Sequence, residues 1–272
     1  MSALAAAGGT PPHPLPVRIF VINLDRSPAR FASISQQLSR FNLPFERISA
    51  LDGSIPEQLE TARANYSANL NKKNFRRALS NGEIACFASH RRAWKLIANT
   101  TTGGGVVLED DALLSDDFAE AIALLQTNAA EWSALKLFTD KKRHFAGARK
   151  INGSEKFSIA DCLHTPACTS GYAINKSAAQ KLLSATEQFG RPVDRELQHW
   201  WKTGVRFQAL LPHTVTLRSF PSDLESGTSR TKEQRNGILA HFSQQASYYA
   251  NLSQNLLRAH GIMTALRALF QK

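Results

Sequence analysis

Val106-Val107-Leu108-Glu109-Asp110-Asp111 is a short apolar run that ends in three consecutive carboxylates, and few folds accommodate that combination. Gly103 to Gly105 precede the run and a helix-like segment opens near Ser115. The acids therefore fall at the C-terminal end of a buried strand. Open α/β sheets bind their ligands at that end. Neighbouring carboxylates repel one another, so a sheet edge carries three of them when a cation or basic groups neutralise the charge. Two readings are open on spacing alone: Glu109 and Asp111 hold Mg²⁺ or Mn²⁺ through oxygen ligands, or the acids form a solvated turn.

With 272 residues, 43% of them hydrophobic, the chain can build one large α/β domain with irregular ends. Residues 1–16 are rich in Ala, Gly and Pro and lack Lys and Arg, so they read as a disordered leader rather than a signal peptide. No window approaches 18 uninterrupted apolar residues, and a cytoplasmic location is expected. Cys86, Cys162 and Cys168 form no CxxC pair, which argues for reduced thiols over a disulfide framework or a structural zinc site. The formal charge of +11 calls for an anionic partner: nucleic acid, a membrane surface or a phosphorylated substrate. Two basic clusters, Lys72, Lys73, Arg76 and Arg77, and Lys141, Lys142, Arg143, Arg149 and Lys150, read as loops bordering a phosphate site or as solvated faces.

Val17 to Leu24 is dominated by β-branched and aromatic residues and runs into Asp25-Arg26-Ser27-Pro28, which predicts a first buried strand and a turn. Phe31, Ile34, Leu38 and Phe41 then recur at helical spacing, and Phe45 to Ala50 reads as a second strand. A partly helical excursion is expected over residues 54–79. Ser80-Asn81-Gly82-Glu83 has the form of a capping box, predicting a helix from Asn81 to about Ala98. Its apolar face, with Cys86, Phe87, Ala93, Trp94 and Ile97, centres on His90, which is read as a buried core histidine ahead of a ligand. Further helices are expected around Phe118 to Leu125 and Ser177 to Leu183, and strands at Ala134 to Thr139 and Ala173 to Asn175. Alternation of this kind implies a mainly parallel sheet.

From Phe242 to Phe270 apolar residues follow heptad spacing, strained by Gly261. Residues 226–272 contain six Lys or Arg against one acid, Glu233, a net formal charge of +5. Such a basic amphipathic helix lies on an anionic membrane, packs on its own domain or pairs with a second copy.

Several segments together resemble glycosyltransferase family 25, the bacterial lipopolysaccharide glycosyltransferases and their collagen galactosyltransferase relatives. They are Ile19 to Arg26 with Arg30, Ile48 to Gly53, Leu79 to His90, Leu108 to Asp111, Thr169 to Asn175, and Pro192-Val193-Asp194. Ala85 stands where the family usually has glycine, and Ser222-Asp223-Leu224 matches a late element only loosely. The resemblance implies a GT-A-like, doubly wound, mainly parallel α/β domain over residues 17–225, with residues 226–272 as a helical extension. It implies an inverting transferase using a nucleotide sugar, a UDP-hexose such as UDP-galactose, on a lipopolysaccharide or other glycolipid or oligosaccharide acceptor. In that frame Asp111 with Glu109 binds Mn²⁺ or Mg²⁺, and Asn23, Asp25, Arg30, Glu109 and Asp110 hold the nucleotide. Asp194 removes the acceptor proton, with Glu196 and Asp223 as substitutes. A peripheral position on the inner face of the cytoplasmic membrane follows from a lipid-linked acceptor. A glycoside hydrolase fits less well, since acids one residue apart cannot flank a sugar from both faces. A nucleic-acid binder using Trp94, Trp132, Trp200 and Trp201 as stacking platforms is the alternative class, although no recognised motif supports it and no nucleic-acid partner is expected.

Overall fold

The computed structural model describes residues 17–100, 103–138, 145–218 and 238–261. Its centre is an eight-stranded sheet in the order β2-β1-β3-β8-β5-β9-β7-β6. The strands are β1 (Val17–Asn23), β2 (Glu46–Ser49), β3 (Gly104–Glu109), β5 (Ala134–Lys136), β6 (Phe145–Lys150), β7 (Ser158–Cys162), β8 (Gly171–Ile174) and β9 (Gln208–Leu211). β1 pairs in parallel with both β2 and β3, and β5 with β9, while β8 and β7 run against their neighbours. Six of the eight strands thus point the same way, the mainly parallel α/β arrangement expected of a GT-A-like domain. A small antiparallel pair, β4 (Ala112–Leu114) with β10 (Val215–Leu217), stands beside it.

Alternation along β1 puts a core on each side of the sheet. Phe20 and Ile22 face α4 (Asn81–Ala98) and α6 (Lys176–Ala185), meeting Phe87, Trp94, Ile97 and Leu182. Val17, Ile19 and Val21 face α1 (Pro28–Arg40) and α5 (Phe118–Thr127), meeting Ile34, Leu38, Phe118 and Ile122. The sheet is therefore covered on both faces, as a doubly wound fold requires. Two of the three glycines ahead of the acids have a packing reason: a Cβ on Gly104 would lie 2.7 Å from the Ile174 carbonyl oxygen, and one on Gly105 2.6 Å from Ile97 Cγ1, so glycine lets α4 seat directly on β3.

The capping box forms as expected, with the Ser80 hydroxyl accepting from the Glu83 N–H and the Glu83 carboxylate accepting from the Ser80 N–H. Arg77 closes on the same carboxylate, so one member of the first basic cluster serves the start of α4. The excursion over residues 54–79 contains two short helices, α2 (Pro56–Arg63) and α3 (Ala68–Asn74). In the second cluster, Arg149 and Lys150 lie on β6 at the opposite edge of the sheet, five strand positions from β3, and Arg149 pairs with Glu131. These two do not border the acids; Lys141, Lys142 and Arg143 lie outside the described residues. So do the leader, Asp223 and the junction at residues 225–226.

Two short helices, α7 (Val193–Leu197) and α8 (Trp200–Thr203), precede β9, and the long α9 (Ile238–His260) follows β10. α9 ends at His260 and Gly261 follows with φ +79°; the part of the heptad from Ile262 to Phe270 lies outside the described residues. Leu252 and Leu256 are buried against Leu163, with Trp201 and Tyr248 beside them, so this stretch of α9 docks on its own domain. Its outer side leaves Tyr249 and Leu257 half exposed. No described helix is long and apolar enough to cross a membrane. Docking makes a direct prediction: Leu256→Ala should lower unfolding stability by about 2–4 kcal/mol. A denaturation midpoint equal to that of the unaltered chain would show that α9 does not contribute to the folded core.

Candidate functional site

Because β1 is followed by β2 on one side and the chain then returns to β3 on the other, the strand order reverses between β1 and β3. A crevice opens at such a point beyond the carboxyl ends of the strands. Ile22 pairs with Glu109 there, which brings Asn23, Asp25 and Arg30 to the three acids.

The acids leave β3 into three different environments. Asp110 is buried, its two oxygens accepting from Asn23 Nδ2 at 2.7 Å and pairing with Arg30 Nη2 at 2.6 Å. Asn23 is committed within the protein: its amide also donates to the Ser27 carbonyl, and its oxygen accepts from Arg47 Nε and Nη2. Arg47 in turn reaches Asp25, which also accepts from Ser49 Oγ. Of these nucleotide-binding candidates, Asp25 is the exposed one, while Asn23 and Asp110 act on the crevice through the residues they hold.

Glu109 points to the α4 side. Its Oε1 lies 3.1 Å from His90 Nε2 and accepts from Thr169 Oγ1, while its backbone N–H donates to the Ser170 carbonyl. Burial opposes the charge on Glu109, but the hydrogen bond and electrostatic pull of His90, then Thr169 and Lys136, outweigh it and hold the carboxyl below its ordinary range. His90 is fully buried, as its apolar helix face implied, and its Nδ1 lies 2.9 Å from Tyr172 Oη. Trp94 Nε1 donates to the same phenol oxygen at 2.8 Å. A core position and contact with the acids thus coincide in one histidine.

Asp111 is different again. Arg30 lies 3.5 Å from its Oδ2, while its buried Oδ1 has no hydrogen-bond partner among the described residues. Burial, then the neighbouring charge of Glu109, push its carboxyl up to about 7, with Asp110 adding to the effect and Arg30 opposing it. An orphaned carboxylate oxygen beside two more acids is the donor set a hard divalent cation takes, and a cation there would relieve all three causes. Asp111 Oδ1 offers such an ion a free oxygen, while Glu109, two positions back in the chain, is turned toward His90 and would have to swing from it to join the same ion.

Asp194 lies on α7 and is partly exposed, with Oδ1 accepting the Arg195 N–H. Its charge and that of Glu109 both act on Cys86 and on Lys136, so the fold brings the two acids into one neighbourhood across 85 residues of sequence. Glu196 faces elsewhere, paired with the equally buried Arg191. Lys136 is fully buried, and its ammonium donates to the Cys168 carbonyl at 2.6 Å. Burial lowers its pKa, opposed by Cys168, Asp194, Cys162 and Glu109. Neither Lys136 nor Arg47 emerges from sequence patterning as a site residue; for Lys136 the available signal is a lone cation inside the apolar run Ala134 to Phe138. Trp94 and Trp132 are core residues, which removes two of the four stacking platforms a nucleic-acid binder would use.

Residues 17–197 match the family model for glycosyltransferase family 25 (LPS biosynthesis protein). Among curated proteins, the chain is 27% identical over 183 residues to a glycosyltransferase 25 family member of Drosophila melanogaster, covering 65% of this chain and 28% of the fly protein. It is 26% identical over 187 residues to human procollagen galactosyltransferase 2, covering 66% of this chain and 29% of that protein. A rat relative named as a probable inactive glycosyltransferase 25 family member 3 is 22% identical over 232 residues, covering 76% of this chain and 39% of its own length. The chain thus spans less than a third of the fly and human proteins.

The raised carboxyl of Asp111 has a thermodynamic consequence. Its folded-state value of about 7 lies above the ordinary 3.8, so the stability it contributes is complete below the latter and is lost as pH rises through the former. Asp111→Asn abolishes that loss. In metal-free buffer at pH 8 the variant should exceed the unaltered chain in unfolding stability by about 2 kcal/mol or more, and the gap should narrow at pH 5. Equal stability at pH 8 would mean that Asp111 ionises without penalty.

Proposed function

Because the chain belongs to glycosyltransferase family 25, we propose that it transfers a hexosyl group from a nucleotide sugar to a glycan acceptor. The donor in this reading is a UDP-hexose, UDP-galactose first, and the acceptor is lipopolysaccharide or another glycolipid or oligosaccharide. The observation that carries it is the orphaned, buried Oδ1 of Asp111 in the crevice between β1 and β3, beside Arg30 and two further acids.

In this mechanism Asp111, joined by Glu109, would hold Mn²⁺ or Mg²⁺, whose charge would offset the negative charge that develops on the departing nucleoside diphosphate. The protein's own groups do the remaining work. Arg30, fixed between Asp110 and Asp111, keeps the crevice from accumulating three uncompensated charges and presents a cation to the donor side. The Asn23–Asp110 hydrogen bond fixes the end of β1 against the end of β3, setting the width of the donor cleft. His90 and Thr169 keep Glu109 ionised and immobile. Attack with inversion needs a base for the acceptor hydroxyl proton, and the carboxylate of Asp194 supplies it, Oδ1 accepting the Arg195 N–H and Oδ2 lying 3.8 Å from Arg195 Nε. A lipid-linked acceptor places the enzyme peripherally at the inner face of the cytoplasmic membrane, where the exposed Tyr249 and Leu257 and the +5 charge of residues 226–272 favour an anionic surface.

Incubation with a panel of UDP- and GDP-sugars, with and without Mn²⁺, and with lipopolysaccharide oligosaccharides tests the proposal. One UDP-hexose should be consumed in a metal-dependent reaction, and the product should carry the anomeric configuration opposite to the donor's. Asp111→Asn should lower transfer by at least about 10²-fold. Asp194→Asn should retain UDP binding in a calorimetric titration while losing transfer. Tight UDP binding that needs no metal would refute the cation site, and an active Asp194→Asn enzyme would remove that residue as the base. A chain that binds no nucleotide sugar under any of these conditions is not a transferase, as the rat relative's name already cautions for one family member.

A further inference from the structure

Cys86 and His90 sit one turn apart on α4, and the end of β3 presents Glu109 to the same spot. One ligand atom from each, a thiol sulfur, an imidazole nitrogen and a carboxylate oxygen, lies within 4.8 Å of the other two. We propose that Cys86, His90 and Glu109 form a binding site for a thiophilic divalent cation, Zn²⁺ above all, which shares Glu109 with the oxygen-ligand site around Asp111.

Several features fit that role. Zinc bonds of about 2.0–2.3 Å place tetrahedral ligand atoms roughly 3.3–3.8 Å apart. The His90 Nε2 to Glu109 Oε1 separation of 3.1 Å needs only a small widening to reach that range. A sulfur, a nitrogen and one carboxylate form a softer donor set than the all-oxygen set of the acids, so the two sites differ in the metal they prefer. Three protein ligands leave a fourth position open. Cys86 and Glu109 are only partly buried, which leaves the site a route to solvent.

The outer partners of His90 support the assignment independently. A metal-binding imidazole commonly donates its second N–H to a fixed acceptor, which sets the tautomer and the ring plane. Nδ1 of His90 faces Tyr172 Oη at 2.9 Å, and Tyr172 is itself fixed by the Trp94 indole N–H. With cation bound, Nδ1 keeps the proton and donates it to Tyr172, leaving the Nε2 lone pair for the metal. Without cation, the other tautomer lets Tyr172 donate to Nδ1 and Nε2–H donate to Glu109. The cation binds as Cys86 releases its thiol proton to solvent. Loading this site draws Glu109 away from the Asp111 site, so zinc opposes the hard cation.

The test uses metal alone and stands apart from donor chemistry. Titration of the full chain with Co²⁺ should produce a sulfur-to-cobalt charge-transfer band in the near ultraviolet and tetrahedral d–d bands, saturating at one equivalent and displaced by Zn²⁺. Cys86→Ser should lose the charge-transfer band and bind Zn²⁺ at least about 10-fold more weakly, while Asp111→Asn and Cys168→Ser retain the band. Should Cys86→Ser fail to fold, alkylation of the unaltered protein gives a second reading: Zn²⁺ should slow modification of Cys86, followed by peptide mass. No thiolate band in the unaltered chain, a band that survives Cys86→Ser or disappears in Cys168→Ser, or alkylation indifferent to Zn²⁺ would overturn the proposal.

Discussion

Three adjacent carboxylates at the end of a buried strand can coexist only if each meets a different answer to its charge, and the surrounding architecture is arranged to provide those answers. Asp110 is neutralised by Arg30 and hydrogen-bonded by Asn23 from the β1 side. Glu109 is held ionised by His90 from α4 and by Thr169 from the loop before β8. Asp111 receives neither treatment in full, and its burial, with the residual repulsion from Glu109, shows as a raised pKa. The strand order makes this division feasible, because β1, β3 and β8 bring three unrelated chain segments to one sheet edge. The low dielectric that makes an unpaired carboxylate costly also makes a bound cation effective there.

What was legible in the sequence was what depends on neighbours in the chain. The β1 strand, the α4 capping box, the helix after Pro28 and the position of the acids all follow from local pattern, and all appear in the fold. The apolar face of α4 also identified His90 as buried. Its partner was not legible: Tyr172 lies 82 residues away, and nothing near His90 announces it. Thr169 and Glu109 are 60 residues apart, Asn23 and Asp110 are 87 apart, and each pairing exists only through sheet order. The heptad from Phe242 to Phe270 is legible as spacing, and its described part, as far as His260, lies in the one continuous helix α9.

The family match and the site geometry bear on different questions. The match covers residues 17–197 and so includes every element that builds the crevice, from β1 to Asp194 on α7. Both α9 and its docking partner Trp201 lie beyond it. The aromatic packing of Trp201, Tyr248 and His199, with ring centroids 5.1–5.5 Å apart, is therefore a feature of this chain that the family relationship does not explain. Together with Leu252 and Leu256 packed on Leu163, these rings anchor the long helix beside α7 and α8.

The reversed direction of β8 carries a consequence for the order of synthesis. An antiparallel strand presents the segment that enters it, here Cys168 to Ser170, at the edge where parallel strands present the segments that leave them. As the chain emerges from the ribosome, Glu109, Asp110 and Asp111 are exposed to water well before Thr169 and Ser170 exist to close over them. In that interval hydration screens their mutual repulsion at little penalty. The electrostatic strain of the site is thus imposed late, when the sheet already has β1 and β3 to resist it, and the acids present no early obstacle to forming the first parallel strands.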